Sequence, residues 1–311
     1  MQEKDVICEI CGWSMWFQCN WIDVNHTNTK NIFTILECSR CQLEKVHPLP
    51  SYDEIALYYP QNYYSYQDVN SNKTNTTIFE KIKNKTIRDT VRGKKSIYTI
   101  LFGNRVLFIP TTMGNQKKYL DIWCWSGVIL ENVKQYGWDC YWYDIGEKKE
   151  TWHIKRDSNI VNINRWNLKF DFISIWHTLE HVPNPREYIK VMSSLLNQDG
   201  VIRIGIPNTN SWYAKRFWRY WNGKDTPRHL FNFSDKNIRQ LLEQEWLLVN
   251  KIHYIWAWWF WLSFIWMLQY YTNLNLKLLT HPIFVIAFGW MDVIANLLKK
   301  WDIICLDVRK K

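Results

Sequence analysis

The sequence predicts a doubly wound α/β fold, a mostly parallel sheet covered on both faces by helices, with a small metal-binding module ahead of it. Three observations carry the prediction. From Lys118 onward, strand-like apolar runs alternate with helix-like ones. The first of these strands ends near Asp121 and passes through a short turn into a helical pattern. Two Cys-x-x-Cys pairs bracket residues 8–41. Such alternation implies crossover connections, which parallel strands require.

Taken from the N-terminus, Cys8 and Cys11 form the first pair and Cys38 and Cys41 the second. Four thiolates at this spacing close a tetrahedral zinc site with no open position, so residues 1–50 read as a zinc-binding module of ribbon type. So short a segment has little core of its own and needs such a staple. The plainer reading is buried or disulfide-bonded cysteines. The polar start lacks the basic-then-apolar layout of a signal peptide and points to a cytoplasmic protein, where cysteines at 8, 11, 19, 38, 41, 124, 140 and 305 favour metal over disulfides. Residues 51–117 read as a linker and helical connection, tyrosine-rich at first and then rich in Asn, Thr and Lys.

Residues 118–253 carry the sheet. YLDI, then WCWSG, then VILENVKQYG with apolar residues at helical spacing, then DCYWYDI make a strand-turn-helix-strand unit. Further strands are expected at 171–177 and 200–207, with a helix over 186–198 between them. An acidic strand end followed by a tight turn brings backbone N–H groups up to a polar cofactor. Asp144, at the end of the second strand, stands where an acidic side chain accepts hydrogen bonds from ribose hydroxyls.

The segment Asp121-Ile122-Trp123-Cys124-Trp125-Ser126-Gly127 resembles the D-x-G-x-G-x-G signature of class I S-adenosylmethionine-dependent methyltransferases, with Trp at two of its three glycines. The resemblance extends to bacterial methyltransferases with an N-terminal four-Cys zinc module, similar to sugar-nucleotide C-methyltransferases, through YYPQNYYSY (58–66), WHTLEHVPNPREY (176–188) and IPNTNSW…DTPRHLFNFS (206–234). It implies a Rossmann-like methyltransferase sheet, S-adenosylmethionine and zinc as cofactors, and a cofactor loop containing Asp121, Trp123, Cys124, Trp125 and Gly127. Against the relatives, Trp13, Trp123, Trp125, Trp142, Trp218 and Trp246 stand where Gly is common, whereas Trp176 and Trp221 look native. The chain has 21 Trp and 11 Gly, where average usage of about 7% would give roughly 22 Gly. Substitution in one direction points to a gene whose UGA codons encode glycine in its source and are read here as tryptophan.

His177, Glu180 and His181 follow the fourth strand, and Arg228-His229 follow the fifth, where the substrate crevice of this fold lies. A neutral His is the ordinary general base near pH 7, and Arg228 is placed to clamp a phosphate or carboxylate. The plain reading of each His is packing or capping. The resemblance adds Tyr63 or Tyr64 as a substrate contact, against simple packing between modules.

Residues 254–311 read as an apolar C-terminal helical hairpin, with runs at 254–268 and 282–298 too short or too charged to span a bilayer. Peripheral membrane contact through 254–298 is one expectation, a buried cover the other. Lys and Arg exceed Asp and Glu, 39 against 29, giving +10. The excess is local to 81–95, 215–228 and 299–311 rather than one basic arm, which argues against nucleic acid as the partner. The function expected is methyl transfer to a small molecule, such as a nucleotide-linked sugar or another surface-polysaccharide precursor. The alternatives are an inactive zinc and Rossmann-like scaffold, or an RNA methyltransferase.

Overall fold

The computed structural model describes residues 6–22, 32–51, 54, 57–58, 78–98, 109–122, 130, 133–143, 160–255, 259–272 and 301–311. In chain order its elements begin with β1 (Met15–Ile22), β2 (Ile32–Cys38), β3 (Glu44–His47), α1 (Ile78–Val91), β4 (Lys118–Ile122), β5 (Asp139–Tyr143) and β6 (Phe170–Trp176). There follow α2 (Pro185–Leu195), β7 (Leu196–Pro207), α3 (Trp212–Phe217), β8 (Phe231–Asn232), α4 (Asp235–Gln244), β9 (Leu247–Ile255), α5 (Trp259–Thr272) and β10 (Ile303–Lys310).

Six strands form a mixed sheet in the order β5-β4-β6-β7-β10-β9. β5, β4, β6 and β7 pair in parallel, and β10 runs antiparallel to both its neighbours. Side chains alternate across this sheet, and both faces are buried. Leu120, Ile122, Ile173, Ile204 and Leu306 pack one face against Ile189 and Met192 of α2 and Leu241 of α4. Tyr119, Cys140, Trp142 and Phe172 pack the other against Ile87 and Val91 of α1. Such two-sided burial is what near-continuous apolar strands require. Each fully buried Leu or Ile contributes roughly 1.5–3 kcal/mol.

Helix α2 starts where the sequence dictates. The Asn184 side chain accepts from the Glu187 N–H, and Pro185 occupies the first turn, where its missing N–H costs nothing. It ends at Leu195, short of the expected 198. Leu196 is already extended (φ −74°, ψ 137°) and pairs with Phe170 of β6, so the ladder takes over from the helix. Within β7, a Cβ at Gly200 would meet the Leu196 side chain at 2.7 Å and the Phe170 carbonyl at 3.0 Å, so any larger residue there requires Leu196 to shift.

A second sheet, β1-β2-β3-β8, joins the N-terminal strands to a strand from the main body. β8 pairs Asn232 with Glu44 and Phe231 with Lys45.

The C-terminal expectation needs correction. Residues 254 and 255 still belong to β9, and 303–310 return as β10 inside the main sheet, so 254–311 is not a hairpin throughout. α5 takes up residues 259–268 of the first apolar run and continues to Thr272; Phe264 and Met267 pack against a cluster of Tyr213, Phe217 and Trp221. The run at 282–298 lies outside the described residues. Among those described, no helix is long and apolar enough to cross a membrane.

The tryptophans divide. Trp221 is buried, and its indole N–H donates to Asp302 at 2.9 Å. Trp218 (φ 44°, ψ −103°) and Trp246 (φ 60°), by contrast, occupy positive φ, which L side chains adopt only at a cost. Trp13 and Trp142 do not, and Trp123 and Trp125 lie outside the described residues.

Candidate active site

The chain enters the sheet at β4, crosses to β5 on one side, and then returns to β6 on the other, so strand order reverses between β4 and β6. In an open sheet of this kind, ligands bind beyond the carboxyl ends of the strands at such a reversal. Asp121, near the end of β4, is buried there, and Ser174 of β6 donates its hydroxyl to Oδ1 at 2.5 Å. Ser174 in turn shares a 2.7 Å hydrogen bond with the Tyr119 hydroxyl. Ser174 is a residue that sequence reasoning missed; its signal was a lone hydroxyl in the apolar run FISIW, on the same face as Asp121. Ile122 and Tyr143 are register partners, so β4 and β5 end side by side. Trp123, Cys124, Trp125, Gly127 and Asp144, and likewise Tyr63 and Tyr64, lie outside the described residues.

On the neighbouring strand end the structure gathers the other candidates. His177 follows β6 directly with φ 48°, a strained conformation of the kind that collects at functional sites. Its Nδ1 lies 3.1 Å from Glu180 Oε1. Glu180 is fully buried, and its backbone carbonyl accepts from Leu230 and Phe231, which ties the LEHV segment to the PRHLF segment. His181 and His229 meet edge to face with ring centroids 4.6 Å apart. His181 Nδ1–H donates to the Arg228 carbonyl at 2.9 Å, and His229 Nδ1–H donates to the Gly223 carbonyl at 2.8 Å. Burial pushes the His181 imidazole down to about 4, helped by the neighbouring His229, so the ring is neutral near pH 7. Burial pushes the Glu180 carboxyl up, but the His177 hydrogen bond and the surrounding imidazoles outweigh it and hold the group below its ordinary range.

Arg228 does not match its expected role. Its side chain is fully buried, donating from Nε and one terminal nitrogen to Asp225 at 3.0 and 2.6 Å and from the other to the Tyr58 carbonyl at 3.1 Å. The guanidinium holds the turn that presents His229, whose N–H bonds the Asp225 carbonyl. Asp225 was invisible to motif reading because its partner lies in the same short turn. The C-terminal cations are also engaged: Arg309, Lys310 and Lys311 each donate to a backbone carbonyl.

The four cysteines converge as expected. Cys8, Cys11, Cys38 and Cys41 are free thiols with their sulfurs within 4.8 Å of one another. Cys8–Cys41 and Cys11–Cys38 lie at 3.5 and 3.3 Å. A tetrahedral zinc site with Zn–S near 2.3 Å needs sulfurs about 3.8 Å apart, so the donor set fits such an ion with small adjustment. The Cys8–Cys41 hydrogen bond pulls Cys8 down to about 5 and pushes Cys41 up, and a bound cation would favour the thiolate form of both. The module is fastened to the sheet domain by Asn237 to the Cys41 carbonyl, Gln244 to the Ile10 carbonyl and Arg186 to the Glu9 carbonyl.

Residues 100–245 match a family described as "Methyltransferase domain". No curated protein matches the chain. Among solved structures it is similar to a SAM-dependent methyltransferase from Archaeoglobus fulgidus, with 16% identity over 72% of this chain and 97% of that one and a TM-score of 0.43. A S-adenosylmethionine-dependent methyltransferase from Clostridium acetobutylicum ATCC 824 gives 16% identity, 75% and 97% coverage and a TM-score of 0.40. Magnesium protoporphyrin IX methyltransferase from Synechocystis PCC 6803 gives 9%, 82%, 97% and 0.45.

Proposed function

We propose, from the premise that residues 100–245 are a methyltransferase domain, that the chain transfers a methyl group from S-adenosylmethionine to a small molecule. The observation that carries this reading is the Asp121–Ser174 hydrogen bond bridging β4 and β6 where strand order reverses. It holds a buried carboxylate beside the crevice, next to the segment resembling the cofactor loop. Asp121, Trp123, Cys124, Trp125, Gly127 and Asp144 are the residues that would hold the cofactor. Bound S-adenosylmethionine supplies a methyl group activated by its sulfonium charge.

The acceptor lies against His177, Glu180, His181 and His229. With Nδ1 donating to backbone carbonyls, Nε2 is the ring atom through which His181 and His229 would manage an acceptor proton. The acceptor class is a nucleotide-linked sugar or another surface-polysaccharide precursor, a reading that follows from the sequence resemblance. Cys8, Cys11, Cys38 and Cys41 hold one structural zinc. α5 covers the domain rather than a bilayer; flotation of the full-length chain with anionic liposomes would contradict this.

Isothermal titration with S-adenosylmethionine tests the reading, on the chain as written and on Trp123→Gly/Trp125→Gly. Binding is expected in the glycine form. Absence of binding in both would favour the second reading, an inactive scaffold, which the indoles at 123 and 125 support because a cofactor loop needs close backbone approach.

A further inference from the structure

We infer that Glu180, His181 and His229 form a second metal site, separate from the four cysteines, for a divalent first-row transition ion. One ring nitrogen of each histidine and one carboxylate oxygen of Glu180 lie within 4.8 Å of one another. Each of the three side chains is also held from behind. His181 and His229 give their Nδ1 protons to the carbonyls of Arg228 and Gly223, and Glu180 Oε1 meets His177 Nδ1 at 3.1 Å. Metal-ligating histidines characteristically donate the other ring N–H to a carbonyl or carboxylate, which fixes the ring and its tautomer.

Charge balance points the same way. The Glu180 carboxylate is buried, and its Oε2 makes no hydrogen bond among the described residues. His177 Nδ1 covers Oε1 of this carboxylate at 3.1 Å and leaves Oε2 to a cation. His229 Nε2 stands 3.9 Å from Oε1, beyond hydrogen-bond range, so no hydrogen bond between that pair competes with an ion. Ligand bonds near 2.1 Å place donors about 3.4 Å apart, so an ion requires the pair to close by only about half an ångström. Two imidazoles and one carboxylate suit Zn, Fe, Co or Ni, and three protein ligands leave coordination positions open. The open positions would take an oxygen of the acceptor, whose proton the ion's charge would then labilise, since the two Nε2 lone pairs are engaged in ligation. That last step alone rests on the methyltransferase reading; ion binding does not.

The test is titration of the full-length chain, its cysteine site already filled with zinc, with Co2+, following visible absorption and counting total metal. One further equivalent of cobalt is expected, without thiolate charge-transfer absorption and displaced by Zn2+. His229→Gln should abolish it, and Glu180→Gln, which keeps the side chain's shape, should weaken it at least tenfold. Saturating Co2+ should raise the melting temperature of the wild type and not of His229→Gln, with circular dichroism showing that the variants fold. No cobalt beyond the cysteine site, or an extra equivalent unchanged in both variants, would overturn the assignment. Failure to bind S-adenosylmethionine would leave this result standing and strike only the acceptor role.

Discussion

Replacing Trp218 or Trp246 with Gly should give a more stable protein than replacing the same residue with Ala, the reverse of the usual order. Both truncations discard the same indole contacts, so the comparison isolates the backbone. Trp246 is 75% exposed and sits just past the end of α4 at φ 60°. A residue with a Cβ pays about 1–2 kcal/mol in the left-handed region, whereas Gly pays about 0.5–1 kcal/mol more chain entropy on folding. The difference leaves Gly ahead by roughly 0.5–1 kcal/mol at 246. At Trp218, φ 44° with ψ −103° falls outside even that region, and relief of about 1–3 kcal/mol widens the margin. Trp16 is the control, exposed in β1 without positive φ; there Ala should lead by about 0.5–1 kcal/mol. Urea denaturation midpoints of the three Gly/Ala pairs read the sign directly. Ala equal to or better than Gly at both 218 and 246 would refute the backbone argument. The same reasoning predicts UGA at codons 123, 125, 218 and 246; UGG there would refute the codon explanation.

Other outcomes follow from particular contacts. Asp144→Ala should weaken S-adenosylmethionine binding by about 1–3 kcal/mol by calorimetry, while His229→Ala should leave that affinity nearly unchanged and lower turnover by about 10²–10⁴. Cys38→Ser should release the structural zinc and, because β3 pairs with β8, speed amide hydrogen exchange at Phe231, two residues from His229. Burial raises the Asp307 carboxyl, but hydrogen bonds from His253 and Arg203 outweigh it and hold the group well below its ordinary range. The stability it contributes is therefore present above about pH 4 and lost as pH falls through the depressed value. Asp307→Asn should cost about 3–5 kcal/mol at pH 7 and flatten the acid limb of the stability curve; an unchanged limb in urea titrations would refute this.

Much of the fold was legible because its strands are apolar on both faces and its turns are marked. The helix expected from 186 starts within one residue of there, at Pro185, and the Cys pairs announced their own convergence. The end of α2 was not legible, since only the long-range pairing of Leu196 with Phe170 stops the helix. β10 was hidden for a similar reason: ICLDVRK carries an Asp and an Arg that look solvent-facing until Arg203 is placed opposite Asp307. In the site, His181 and His229 were identified singly, but their meeting needed the fold. The fate of Arg228 was lost because buried bonds to Asp225 and Tyr58 leave no trace in a motif.

The most direct test of the central claim is a crystal structure of the full-length chain, glycine-restored at 123 and 125, with S-adenosylhomocysteine. The account predicts the ligand beyond the carboxyl ends of β4 and β6, its ribose on Asp144 and its sulfur facing the His177–His229 cluster. A ligand bound elsewhere, or no bound ligand at saturating concentration, would contradict it.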